Sequence, residues 1–376
     1  MAGSPVLADL EPRPRLVDWS ILACVLLETL TGIVSLGAGA SEQWPLFWLH
    51  RVVGLLLVVL LVFKLRRVKP RLSRGRWDRA TPVSVLTAVV ALAALATGIA
   101  WVLGIDVDFW FWTLLNLHIG LGLLVVPLVL LHLRSRFRRV RRADFEGRRT
   151  ALQYGALLVG GTVAVRAQEL LNGVTDSAGT TRRFTGSKPV GGEDGEFPVT
   201  SWVADDPDPI DPDAWTLRVD GLVDSRLERS YGDLHFATGS IGGGDDSDVD
   251  GEDDAVAVDG LRALLDCTSG WYTVEDWRGV RLGGLLDEAG VAPAGRWVTV
   301  HSVTGYRWSF PIDEAREFLL ATHVAGDPLS HGHGFPLRLV APDRRGFQWV
   351  KWVTRIEVRR RRDASQYVAT LVSGLG

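Results

Sequence analysis

Cysteine and methionine are almost missing from this chain: its 376 residues hold two Cys and one Met. The two cysteines, Cys24 and Cys267, lie far apart, and Cys24 sits inside an apolar run, which argues against a disulfide framework. Lysine is also scarce, so arginine carries most of the positive charge. A uniform charge is absent as well. The first 170 residues carry 20 Lys+Arg against 11 Asp+Glu, a net of +9. The rest carry 21 against 33, a net of −12, and the two sum to the −3 of the whole chain. A near-neutral total therefore hides two opposite parts. The basic part is the apolar one, and nucleic acid is not expected as a partner.

Apolar runs fall near residues 17–38, 46–65, 82–105, 111–133 and 151–165. The first four are long enough to cross a hydrocarbon core of roughly 30 Å, which takes about 20 residues; the fifth is shorter. The segments Lys64–Arg79 and Arg134–Arg149 are strongly basic and belong on the cytoplasmic side. The opposite loops, around Glu42 and around Asp106 and Asp108, lack Lys and Arg and are rimmed by Trp44, Trp48, Trp101, Trp110 and Trp112, an outer aromatic belt. A fifth crossing puts the C-terminal half outside the cell, which suits its acidity; a peripheral fifth helix leaves it inside. The expectation is a multi-pass cell-membrane protein with an extracytoplasmic C-terminal domain. Arg148 and Arg149, just before the fifth run, resemble an internal twin-arginine export signal, or are two more cytoplasmic charges.

The membrane part repeats itself. LHRVVGLLLVVLLVFKLRR from Leu49 aligns without gaps on LHIGLGLLVVPLVLLHLRS from Leu117, pairing His50 with His118, Gly54 with Gly122 and Lys64 with His132. A TGI triplet at Thr31 and again at Thr97 precedes each copy. Two duplicated hairpins predict a four-helix bundle with His50 and His118 at similar depth. Imidazoles within a span are costly and usually face the bundle interior. A facing pair is an axial ligand set for a b-type haem, with Gly54, Gly120 and Gly122 leaving room for the macrocycle. The other reading has both histidines bonding backbone or lipid headgroups. His132, about four turns after His118 on the same face, is the candidate for an inner haem, but its repeat-mate Lys64 leaves that position without a second histidine. One outer haem is expected. This part resembles the small cytochrome b-like membrane domains of bacterial and archaeal redox chains.

From about Asn172 to Asp213 the chain reads as linker and irregular lead-in, and from Trp215 as short strands. Residues 241–254 form an acidic low-complexity insertion. Asp246, Asp248, Asp250 and Gly251 match half of a calcium loop, but Ala257 stands where the bidentate Glu belongs, so solvated charge is the better reading. This acidity, with one Met and few lysines, matches the composition of halophilic proteins.

A lone thiol in LDCTSGWYTVEDW can bind metal, attack an electrophile or pack as a small apolar residue. Downstream stand DWRGVRLGGLLDEAG, VTVHSVTGYRWSFP, HGFPLRLVAP and GFQWVKWVTRIEV. With these motifs, residues 195–360 resemble the sulfite oxidase superfamily of molybdopterin enzymes. The resemblance implies an α+β domain in which Cys267 gives molybdenum its one protein thiolate beside the two dithiolene sulfurs of the pterin. It also implies that Arg338 and Lys351 surround the pterin phosphate, that Ser302 and His333 contact the pterin, and that Gly346 lets backbone approach the phosphate. Tyr306 and Arg307 are expected on the substrate side. His301, His323 and His331 show no ligand spacing and are read as structural.

The whole is read as a tail (1–16), a four-helix haem b domain (17–135), a basic loop and fifth helix (136–170), a linker (171–194), a molybdopterin domain (195–360) and a second tail (361–376). The expected activity is oxygen-atom transfer on a small S- or N-oxo substrate, with electrons exchanged through haem b with the membrane quinone pool. A compact domain with a membrane haem partner also resembles the bacterial protein-methionine-sulfoxide reductases. The contrasting reading is a membrane-tethered domain of the same fold without catalysis.

Overall fold

The computed structural model describes residues 13–73, 77–109, 112–137, 139, 141, 148–191, 196–201, 205–234 and 258–372. The chain divides into two compact units, Met1–Lys188 and Pro189–Gly376. The acidic insertion and its calcium-like motif lie outside the described residues.

The first unit is helical: α1 (Pro14–Leu36), α2 (Trp44–Ser73), α3 (Thr81–Val102), α4 (Leu114–Arg136) and α5 (Arg148–Thr175). Proline opens α1 and α3, where the missing N–H would have had no helical partner. The Thr113 hydroxyl caps α4 by accepting from the Asn116 N–H. Sequence neighbours pair, α1 along α2 and α3 along α4, while α5 lies along α2. Four helices, α1 to α4, are long and apolar enough to cross a membrane. They leave Leu26, Leu30, Val89 and Leu130 more than half exposed, as helices in contact with lipid do. Among the described residues α5 does not reach that hydropathy. It opens at Arg148, and the side chains of Arg148 and Arg149 lie outside the described residues.

Residues 171–188 of the segment read as linker are ordered within this unit. The α5 helix runs ten residues past the fifth apolar run, and Asn172 near its end donates to the Val102 carbonyl at 2.9 Å. Trp101 Nε1 donates to the Gly186 carbonyl at 2.9 Å. Tertiary hydrogen bonds, invisible in local composition, account for the difference.

The second unit is α+β. Its first sheet has the order β2 (Leu227–Ser230), β1 (Thr216–Gly221), β9 (Val353–Arg359), β5 (Trp297–Ser302), β6 (Arg307–Pro311), antiparallel except for β1 beside β9. Its second sheet joins β3 (Val258–Asp266), β4 (Trp271–Arg281), β7 (Leu319–Val324) and β8 (Arg338–Val340), all antiparallel. Period-2 burial on β1 and β4 sends Leu217, Val219, Trp271 and Trp277 into one core with Val300, Leu320, Leu339 and Ile356. Helix α6 (Leu282–Ala289) adds Leu282, Leu285, Leu286 and Ala289 from one face and ends at Gly290 in the left-handed region.

Residues 361–372, read as a tail, belong to this unit. Helix α7 (Gln366–Val372) begins with a fully buried Gln366 whose Oε1 accepts from the Ser309 N–H at 3.0 Å. Polar groups rather than an apolar stripe bind it, which hid it in the sequence.

Gly279 shows how closely β4 and β7 approach: a Cβ there would stand 2.0 Å from the Leu320 carbonyl oxygen. Gly279→Ala is expected to destabilise the second unit by about 1–3 kcal/mol or more, read as an earlier unfolding transition in tryptophan fluorescence.

Candidate functional site

Cys267 follows β3 directly and opens the turn into β4. Its N–H donates to the Trp271 carbonyl at 2.8 Å, and the Gly270 N–H returns to the Cys267 carbonyl at 3.1 Å. The Ser269 N–H points at Sγ from 3.5 Å. The backbone is therefore locked on both sides of a thiol that is 7 % exposed.

Behind it lies a buried ion pair. Asp266 is 1 % exposed, and its Oδ1 meets Arg345 Nη1 at 2.8 Å. Arg345 Nη2 also donates to the Cys267 carbonyl at 3.1 Å. Gly346 completes this contact: a Cβ would stand 3.1 Å from Cys267 Cα and 3.3 Å from the Asp266 carbonyl oxygen. The missing side chain of Gly346 thus lets its loop close on the backbone of Cys267.

Two cations face the thiol. Arg338, on β8 and 3 % exposed, lies 5.4 Å from the Trp277 ring and 5.8 Å from that of Trp349. It donates to the His333 carbonyl at 3.0 Å, and its buried Nε has no hydrogen-bond partner. Burial holds its ionisation down at about 10, against the pull of Cys267. Lys351 Nζ donates to the carbonyls of Gly332 at 2.6 Å and Thr200 at 2.9 Å, and to Ser201 Oγ at 3.0 Å. Burial, then repulsion from Arg338, lowers the amine to about 7, while Cys267, Asp205 and Asp206 oppose the shift.

His333 is held at both ring nitrogens, Nδ1 with Ser330 Oγ and Nε2 with the Phe197 carbonyl, each at 3.0 Å, and stacks on Phe197. Ser302 Oγ lies 3.1 Å from Thr304 Oγ1 in the turn after β5. Phe197, Thr200 and Ser201 were not expected here. They lie in the irregular lead-in, where no periodicity marks them, and only the apolar Phe-Pro-Val among polar neighbours signals burial.

Tyr306 and Arg307 make contacts within the fold. The Tyr306 hydroxyl donates to the Phe347 carbonyl, and the ring is buried. Arg307 binds Asp363 at 2.6 Å and Ser365 at 2.8 Å, tying β6 to the chain before α7. Burial opposes the charge on Asp363, yet bonds from Ser365 and Arg307 hold its carboxyl down at about 2. His301 and His331 are likewise bound, to Glu357 and to the Pro207 carbonyl.

In the first unit the His50 and His118 rings stand 6.0 Å apart, centroid to centroid, at 87°. His50 Nδ1 meets Thr31 Oγ1 at 2.8 Å and Glu28 Oε2 at 3.2 Å; His118 Nδ1 meets the Ala94 carbonyl at 2.8 Å. The glycines of the two TGI triplets seat the rings: a Cβ on Gly32 would lie 3.6 Å from His50 Cε1, and one on Gly98 would lie 2.8 Å from His118 Cε1. Gly54 faces Glu28 instead, while nothing lies within 4 Å of where a Cβ would stand on Gly120 or Gly122. His132 bonds Ser84 at 3.0 Å and Lys64 bonds Asp18 at 2.6 Å, so this repeat pair forms no second histidine couple.

Among the described residues no group of three or more His, Cys, Asp or Glu is placed to hold a metal ion. A metal at Cys267 thus takes its other ligands from a cofactor. The unpartnered donor of Arg338, with Lys351 beside it, fits an anionic one. Fold and site define a single-thiolate, cofactor-dependent redox centre with cationic walls.

Residues 204–367 match the family model of the oxidoreductase molybdopterin binding domain. The chain is 30% identical over 164 residues to the uncharacterized oxidoreductase YuiH of Bacillus subtilis, covering 43% of this chain and 73% of that protein. It is 33% identical over 109 residues to the protein-methionine-sulfoxide reductase catalytic subunit MsrP of Xanthomonas campestris, covering 24% and 34%. Human mitochondrial sulfite oxidase is 29% identical over 170 residues, covering 40% and 30%. The chain thus spans about a third of these last two. It belongs to the sulfite oxidase superfamily of molybdopterin-binding oxidoreductases.

Arg345→Met leaves Asp266 charged and buried without its partner, so a loss of about 3–5 kcal/mol is expected; denaturant titration measures it, and adding Asp266→Asn should restore part of the loss. Lys351 supplies a pH prediction. Its folded value of about 7 lies below the ordinary 10.5, so between these values the unfolded chain binds more protons and stability rises with pH. The melting temperature of cofactor-free protein should climb from pH 7 towards 10, and Lys351→Met should flatten that climb.

Proposed function

We propose that the protein is a membrane-anchored molybdenum oxidoreductase that transfers an oxygen atom to or from a small S- or N-oxo substrate and exchanges electrons with the quinone pool through haem b. The observation that carries the enzymatic half is the convergence of Cys267, Arg338 and Lys351 on one buried site. Cys267 offers a soft thiolate, which must be deprotonated to bind metal. Arg338 and Lys351 hold the pterin phosphate by charge-assisted hydrogen bonds, and His333 positions its edge. When bound, the molybdenum centre supplies two-electron oxygen-atom transfer and the haem single-electron transfer.

The haem half rests on His50 and His118. With each Nδ1 anchored, the Nε2 atoms remain as ligand atoms. The two rings lie close enough to each other, 6.0 Å between centroids, that both would hold a haem iron and supply its protein ligands. In the reductive direction one quinol gives up two electrons and two protons, and the substrate's oxygen leaves as water. In the oxidative direction water supplies the oxygen and quinone takes the electrons. Multi-pass insertion of α1 to α4, with α5 as a fifth crossing that carries the catalytic unit outside the cell, completes the reading. Similarity to MsrP makes methionine sulfoxide one substrate to test.

Metal analysis of purified protein should find molybdenum in wild type and little in Cys267→Ser; equal content would overturn the assignment, and no molybdenum in either would favour a non-catalytic domain. His50→Ala and His118→Ala should each remove the haem bands of the reduced-minus-oxidised spectrum. A deletion strain tested on sulfite, methionine sulfoxide and other S- and N-oxides should lose turnover of one class.

A further inference from the structure

We infer that Arg182 is the anion clamp of the haem site, binding a haem propionate at the outer end of the helical unit; this rests on the haem reading above. The chain of contacts starts at the histidine pair. Gly98 abuts the His118 ring, and Trp101 follows three residues later on α3. That is almost one turn along the same helix face and about 4.5 Å farther out. The Arg182 guanidinium lies over the Trp101 ring at 3.7 Å. One of its donors, Nη1, reaches the Gly186 carbonyl at 3.2 Å. Its Nε and Nη2 are buried and have no hydrogen-bond partner.

A desolvated guanidinium with two unmet donors is costly unless an anion meets it. Among the described residues no carboxylate hydrogen-bonds these donors: Asp106 lies near enough for its charge to act on Arg182 but is bound by Lys188. Other buried acceptors collect at the same end. Asn172 Oδ1 and Ser177 Oγ also lack partners, while Asn172 Nδ2 is held on the Val102 carbonyl. A propionate meets the guanidinium fork with two oxygens and can accept from the Ser177 hydroxyl, while a bound water can donate to Asn172 Oδ1. The ordering of residues 172–188 against the end of α3 then has a purpose, since it carries Arg182 to the cofactor.

The experiment uses the purified full-length holoprotein. Wild type, Arg182→Gln and Arg182→Lys are compared by resonance Raman, which reads the propionate bending mode, and by redox titration of the haem. Losing a cation beside the haem favours the ferric state. At the wild-type midpoint, the ferrous:ferric ratio should fall about tenfold in Arg182→Gln for a charge-assisted hydrogen bond of ordinary strength, and less in Arg182→Lys. The propionate mode should shift in both. If Arg182→Gln does not accumulate, the mode in Arg182→Lys decides, because an ammonium cannot reproduce the fork. An unshifted mode with an unchanged ratio overturns the clamp while leaving the haem in place. Absence of haem bands from wild type sinks the haem reading itself.

Discussion

The buried pair of Arg345 and Asp266 fixes the backbone that carries Cys267. A lone thiolate ligand has no neighbouring protein ligands to correct its aim, so its backbone must be placed by the fold. One guanidinium does this by meeting Asp266 at 2.8 Å and the Cys267 carbonyl at 3.1 Å. The loop that carries it can come so close only because Gly346 follows. Removing either charge would leave the other desolvated. The pair therefore couples the stability of the second unit to the geometry of its site.

The same logic of placement by the scaffold governs the first unit. Each repeat brings a glycine on one helix against a histidine on the next, and each Nδ1 is fixed by an oxygen. The two halves differ in that oxygen: His50 has a hydroxyl and a carboxylate nearby, whereas His118 has a backbone carbonyl. The duplication therefore supplies a symmetric histidine pair with unequal surroundings.

Much of this was legible in the chain. Hydropathy is a local property, so the four long apolar helices read directly, and gapless self-alignment exposed both histidines. The superfamily was legible because its motifs surround Cys267 in order. What escaped was long-range. Arg345 lies 78 residues from the carbonyl it holds, and nothing in the local sequence pairs it with Asp266. Phe197 and Thr200 sit in an aperiodic stretch whose order comes from His333, Trp271 and Lys351. The contacts of Tyr306 with Phe347 and of Arg307 with Asp363 likewise span more than 40 residues, out of reach of local pattern. The TGI triplets were visible as a repeat, but only the packing shows that their glycines seat the imidazoles.

The central claim is that Cys267 is the one protein ligand of molybdenum. X-ray absorption at the molybdenum edge tests it by counting sulfur neighbours in metal-loaded protein. The residual molybdenum that Cys267→Ser retains should show one fewer sulfur neighbour than the wild-type metal. A sulfur shell unchanged by the substitution would contradict it.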